Sequence, residues 1–184
     1  GGLLLWVVLY VTLPRPVRAY ILAHELTHAL WAWVFGGDVL GMRIGRRDGS
    51  VVLNRTNAFI VLAPYFFPLY AVLVVIAYYA VSLFRPIDAY KPLWLAWVGL
   101  AWGFHVTFTI HSLMQPQTDV RQYGRLFSFT LILGMNVLLL CLWIVLITDV
   151  SIETFVAVFS ERAGGHANQI RAGIFLLTGG NNPP

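Results

Sequence analysis

Apolar residues occur along this chain in long runs that polar segments interrupt, which is the pattern of helices that cross a bilayer. A hydrocarbon core about 30 Å thick requires about 20 apolar residues in a helix. Three runs reach this length without a charged residue: 57–84, 93–114 and 126–148. A fourth run, 19–36, is slightly short and contains one acidic residue, Glu25. The pattern therefore predicts four membrane-spanning helices.

The first apolar run, 3–13, is too short to cross a bilayer alone. It is followed by Pro14-Arg15-Pro16, and two prolines this close predict a break or a kink before the next helix. If this run is part of a further span, the chain has five. We therefore expect an all-α polytopic membrane protein with four to five transmembrane helices.

The polar segment 37–55 has a pattern of its own. It contains an apolar stretch at 39–45, an Asp48-Gly49 pair and a second apolar stretch at 51–53. Two such stretches joined by an Asp-Gly turn predict a β-hairpin. The hairpin follows the helix of 19–36 and precedes the next span.

The C-terminal segment differs from the spans because polar and apolar residues are mixed in it. Residues 152–159 predict a short amphipathic helix, and residues 179–184 are expected to be disordered. We therefore divide the chain into a transmembrane core, 1–148, and an amphipathic and flexible tail, 149–184.

The composition agrees with a membrane protein and excludes other classes. Hydrophobic residues make up 59% of the chain and charged residues only 11%, whereas a soluble domain has about 25% charged residues. The single cysteine, Cys141, excludes an intramolecular disulfide and a Cys-rich metal cluster. The net charge is +4, but no run of Lys or Arg occurs, so nucleic-acid binding is not expected.

Basic residues are distributed unevenly between the two predicted faces. If 19–36 spans, the hairpin and the polar segment 115–125 lie on the same side. That side carries Arg43, Arg46, Arg47, Arg55, Arg121 and Arg125. The opposite loops carry Arg15, Arg18, Arg85 and Lys91. Because positive charge is enriched in cytoplasmic loops, the hairpin face is predicted to be cytoplasmic.

One motif inside the helix of 19–36 carries chemistry: His24-Glu25-Leu26-Thr27-His28, or His-Glu-x-x-His. Positions i and i+4 share one helix face, so His24 and His28 can bind one Zn²⁺. Zinc lowers the pKa of a bound water to about 7, and Glu25 can take its proton as general base. An ionised Glu within a span costs about 2.5 kcal/mol or more, which favours a functional role. The alternative is a buried polar network that holds helices together.

A catalytic zinc usually has three protein ligands, so the motif requires a third. Asp119 lies just after the predicted span that ends at Met114, on the same side as the hairpin. Pro116, which precedes it, can turn the chain inward. The two motif histidines lie about 18 and 12 Å from that face at 1.5 Å per residue. His111 has a compatible depth and is the alternative ligand, whereas His105 is deeper and fits interhelical hydrogen bonding. The alternative role of Asp119 is to cap a short helix over 120–124.

These residues resemble the site-2 protease family of intramembrane zinc metalloproteases. The resemblance covers roughly residues 19–125: the motif in an apolar helix, Phe35-Gly36-Gly37-Asp38-Val39 before the hairpin, Ala63-Pro64 in the next span, and an Asp after a later span. The sequence departs from the family at Thr27, where Gly is frequent, and around Asp119, where Leu-Asp-Gly is usual.

The resemblance implies that 1–148 is a metalloprotease core. It implies hydrolysis of a peptide bond in a membrane-embedded protein substrate, with His24, His28 and Asp119 as zinc ligands and Glu25 as base. The expected partners are a transmembrane protein substrate and the lipid bilayer, with the active site nearer the cytoplasmic face.

Two other functions stay open at this point. A membrane metallopeptidase that trims tails outside the bilayer usually takes a Glu as third ligand, for which Glu153 and Glu161 are available. A non-catalytic membrane binding or assembly protein would use the His-Glu-x-x-His residues structurally.

Overall fold

The computed structural model describes the chain apart from residue 47, residues 149–150 and residues 178–184. The described part is mostly helical, with one small antiparallel sheet. Its α-helices are α1 (Gly2–Thr12), α2 (Val17–Val34), α3 (Ala58–Leu62), α4 (Leu69–Ser82), α5 (Lys91–Leu113), α6 (Thr118–Gln122), α7 (Arg125–Ile147) and α8 (Ile152–Leu177). The strands are β1 (Val39–Ile44) and β2 (Gly49–Leu53). Single 3-10 turns occur at Ala63–Tyr65 and Asp88–Tyr90.

The chain forms two compact units, Gly1–Leu139 and the residues from Leu140 onward. His24, His28, Asp119 and the alternative ligand His111 lie in the first unit. In the second unit, α8 extends well beyond the helix predicted at 152–159. Gly164 and Gly165 do not end it, and the sequence from Ile152 to Leu177 contains no proline that would break it. Residues 179–184, predicted to be disordered, lie outside the described residues, and the division into 1–148 and 149–184 stays a prediction.

Two segments are long and apolar enough to cross a membrane, Asp88–Leu113 and Arg125–Val145. The helices Ala58–Tyr65 and Leu69–Ser82 meet the same criteria as a pair, but they are bent by 81°. The segment 57–84, predicted to span, is therefore sharply bent, because Pro68 lies at the bend and proline cannot continue a helix. Length and composition thus support two or three spans in the described residues, and the count of four to five stays a prediction.

Helix α1 packs along α5 through small residues. The Cα of Gly2 lies against the backbone of Ala96, and a Cβ on Gly103 would lie 2.7 Å from the ring of Trp6. The indole N–H of Trp6 donates to the hydroxyl of Thr107 at 2.9 Å. The predicted break after this first helix is confirmed, because α1 ends at Thr12 and α2 begins only after the two prolines.

The predicted hairpin is confirmed and packs on α2. Ile44 pairs with Gly49 and Val39 with Leu53, with one irregularity between Val39 and Gly41. Gly49 begins β2, so the reversal lies in the residues before it. An ion pair of 2.6 Å joins Arg43 of β1 to Asp48, the residue just before β2.

A buried apolar cluster joins the broken helix pair to α6 and α7. Its members are Leu62, Ala63, Tyr65, Phe66, Val120 and Ile132. Val120 is the buried residue of α6. Because α6 has only five residues, this anchor fixes which way its remaining side chains point.

Candidate metal centre

Helix α2 presents the His-Glu-x-x-His residues to the protein interior. The side chains of His24 and His28 lie on one face, with ring centroids 4.8 Å apart. Glu25 and His28 are each only 8% exposed. The helical spacing predicted from the motif is therefore present.

Helix α6 brings Asp119 to the two histidines. Its Oδ2 lies 3.5 Å from Nε2 of His24 and 3.8 Å from Nε2 of His28. One ligand atom from each residue lies within 4.8 Å of the other two. Tetrahedral ligands at about 2.0–2.2 Å from zinc are themselves about 3.3–3.6 Å apart. The group can therefore hold a metal ion after small side-chain adjustments, and its donors, two imidazoles and a carboxylate, suit zinc.

Each histidine is oriented through its other ring nitrogen. Nδ1 of His28 donates to the carbonyl of Ile60 at 2.9 Å. Nδ1 of His24 lies 3.3 Å from the hydroxyl of Tyr20. Contacts of this kind fix the ring and the tautomer of metal-binding histidines. In both residues Nε2 is left facing Asp119.

Asp119 is held by a tyrosine that the sequence did not single out as a site residue. The hydroxyl of Tyr65 donates to Oδ2 of Asp119 at 2.9 Å, and Tyr65 is fully buried. The amide of Asn136 donates to the backbone carbonyl of Tyr65 at 3.0 Å. The only signal in the sequence was a phenol placed directly after Ala63-Pro64 in an apolar run.

The neighbours of Asp119 lower the pKa of its carboxyl. Burial raises its pKa, but the hydrogen bond from His24, the charges of His28 and His24 and the Tyr65 hydroxyl together lower the pKa below its usual value. Asp119 lies in the first turn of α6, whose N-cap residue is Gln117. The alternative in which Asp119 caps this helix is therefore wrong.

Two other histidines of the first unit lie outside this group. His111 is exposed near the end of α5 and is not among the residues that converge. His105 is buried, and it lines a small cavity beside His24 without joining the group. Glu153 and Glu161 are exposed on α8.

Glu25, His28 and Asp119 line an open cleft of about 360 Å³ together with residues of β2 and α6. Gly49 of β2 lies directly against Glu25, since an added Cβ would be 2.8 Å from its Oε1. The sequence had suggested only a turn role for Gly49. The hairpin therefore closes over Glu25 through backbone, and a larger residue at position 49 would have to displace it.

Replacing Tyr65 with phenylalanine is expected to weaken zinc binding about 10- to 100-fold, the usual cost of losing a partner of a metal ligand. Zinc affinity in detergent, measured against a competing chelator, would show this. Tyr70→Phe is the control, because the Tyr70 hydroxyl donates to the backbone carbonyl of Ala19 and not to Asp119. Equal affinities of the two variants would contradict a role for Tyr65.

Comparison of the chain with protein-family models, with curated proteins and with solved structures returns no match.

Proposed function

We propose that this protein is an intramembrane zinc metalloprotease that hydrolyses a peptide bond in a membrane-embedded protein substrate. The observation that carries the proposal is the convergence of His24, His28 and Asp119 beside Glu25 at a cleft. A structural polar network would need no cleft at the carboxylate of Glu25.

The chemistry divides between the metal and this chain's side chains. His24, His28 and Asp119 would hold a zinc ion, and the bound ion would supply a Lewis acid able to lower the pKa of water to about 7 and to polarise a carbonyl. Glu25 lines the same cleft, and its carboxylate takes the proton of the attacking water and returns it to the leaving amine. Tyr65 holds Asp119 in place during this exchange.

The cleft also suggests how a substrate would be held. A transmembrane helix must unwind locally before it is cut, and its freed backbone groups then need partners. Strand β2 lines the cleft through Gly49, Ser50, Val51 and Leu53. An extended substrate segment would pair with the strand backbone at this edge.

The proposal places the protein in a membrane as a multi-pass protein. The candidate spans of α5 and α7 support this placement. The hairpin and α6 flank the cleft, and the modest excess of arginine on their side favours a cytoplasmic location for it.

The test is zinc content together with cleavage of transmembrane peptides in liposomes. We expect one zinc per chain and cleavage inside the apolar segment, lost on chelation and restored by Zn²⁺. No zinc after reconstitution with metal would favour a non-catalytic membrane protein instead. Cleavage only outside the apolar segment would favour a peptidase that trims tails.

A further inference from the structure

A second cleft lies where α5 ends and α7 begins, and it has a volume of about 260 Å³. Its wall combines two arginines, Arg121 and Arg125, with the apolar side chains of Leu113, Met114 and Phe129. It shares neither Glu25 nor a metal ligand with the first cleft. The metal centre therefore does not account for it.

The two arginines are available to a ligand. Arg121 lies in α6 and Arg125 is the first residue of α7, and both are exposed. Within the part of the chain that the structure describes, neither forms an ion pair with a carboxylate. Guanidinium groups match the geometry of phosphate oxygens, so a phosphate is the ligand that this pair fits.

The position of the cleft indicates the source of the phosphate. Leu113 ends one candidate membrane span and Arg125 begins the other. If both segments cross a bilayer, the cleft lies at the boundary between headgroups and acyl chains. Met114 and Phe129 are 79% and 44% exposed there, and such apolar surface suits an acyl chain and would contribute nothing to a free phosphate ion.

We propose that this cleft binds an anionic phospholipid, with its phosphate on Arg121 and Arg125 and an acyl chain along Phe129 and Met114. Basic pockets between membrane helices bind anionic headgroups in this way. The proposal goes beyond proteolysis and does not require it. It rests only on the placement of α5 and α7 in a membrane.

The test measures, by native mass spectrometry, the binding of phosphatidylglycerol to the full chain purified in neutral detergent. Removing both charges in Arg121→Gln/Arg125→Gln is expected to weaken binding about thirtyfold, since each surface arginine contributes about a factor of five to six. Arg121→Lys/Arg125→Lys keeps the charge and should bind several-fold more weakly than wild type. Because the lysine pair preserves the charge and the approximate length of both side chains, weaker binding by this variant is not explained by a folding defect.

The matched control is Arg85→Gln/Lys91→Gln, which removes the same charge near the opposite end of α5, where both side chains are exposed. It should bind phosphatidylglycerol as wild type does. An equal loss in both glutamine pairs would overturn the proposal in favour of non-specific charge. Phosphatidylcholine binding as tightly as phosphatidylglycerol would also overturn it, and glycerol phosphate binding as tightly would reassign the cleft to a soluble phosphate.

Discussion

Replacing Glu25 with glutamine is expected to abolish peptide hydrolysis while the protein keeps its zinc. The amide has nearly the shape of the carboxylate, so it fits the same space between α2 and Gly49. It cannot accept a proton from water, and general-base catalysis contributes about 10²- to 10⁴-fold in rate. We therefore expect the cleavage rate to fall at least about a hundredfold in a liposome assay.

The control for this variant is Glu161→Gln, which makes the same chemical change on an exposed residue of α8. It should cleave at the wild-type rate. Full activity of Glu25→Gln would remove Glu25 from the reaction. Loss of zinc from Glu25→Gln would instead assign Glu25 to metal binding.

Replacing Asp119 with alanine is expected to release the metal. The change leaves two imidazoles, whereas zinc sites usually have at least three protein ligands. Loss of a mere hydrogen-bonding partner of a ligand costs about 10- to 100-fold in affinity, so loss of the ligand itself should exceed about a hundredfold. Elemental analysis of the purified variant should find almost no zinc, as it should for His24→Ala.

His111→Ala is the matched comparison for this experiment. His111 is exposed and lies outside the group of converging side chains, so its variant should retain one zinc per chain. The reverse result, zinc kept in Asp119→Ala and lost in His111→Ala, would move the third ligand into α5.

The parts of the site that could be predicted from the sequence depend on local spacing. His24 and His28 share a face because they are four residues apart in a helix, whatever packs around them. The hairpin is likewise encoded by its own residues. Asp119 was accessible by a longer argument, from chain order, depth and the turn at Pro116. Asp119 lies beside both imidazoles, where a third ligand has to lie. The zinc measurements on the Asp119 and His111 variants test whether it binds the metal.

The remaining parts depend on contacts between distant segments. The role of Tyr65 requires α6 to pack against the 3-10 turn, and no spacing rule relates positions 65 and 119. Gly49 is distinguished only by its closeness to Glu25 on another element. Pro68 marks the position of the bend before α4 in the sequence, but the 81° angle could not be predicted, because the charge-free run 57–84 satisfies a hydropathy criterion whether it is straight or broken. The mean hydropathy of a segment depends on its composition and does not change when the helix axis changes direction.

The metal centre joins two elements that are far apart in the chain, since His24 and Asp119 are separated by about 95 residues. An ion shared between them would act as a cross-link that restricts the unfolded chain. A disulfide closing a loop of about 100 residues contributes about 4.7 kcal/mol to the free energy of unfolding in the chain-entropy model. With Cys141 as its single cysteine, this chain cannot form a disulfide within itself. A bound zinc ion would then stabilise the fold by linking distant segments, in addition to its part in hydrolysis.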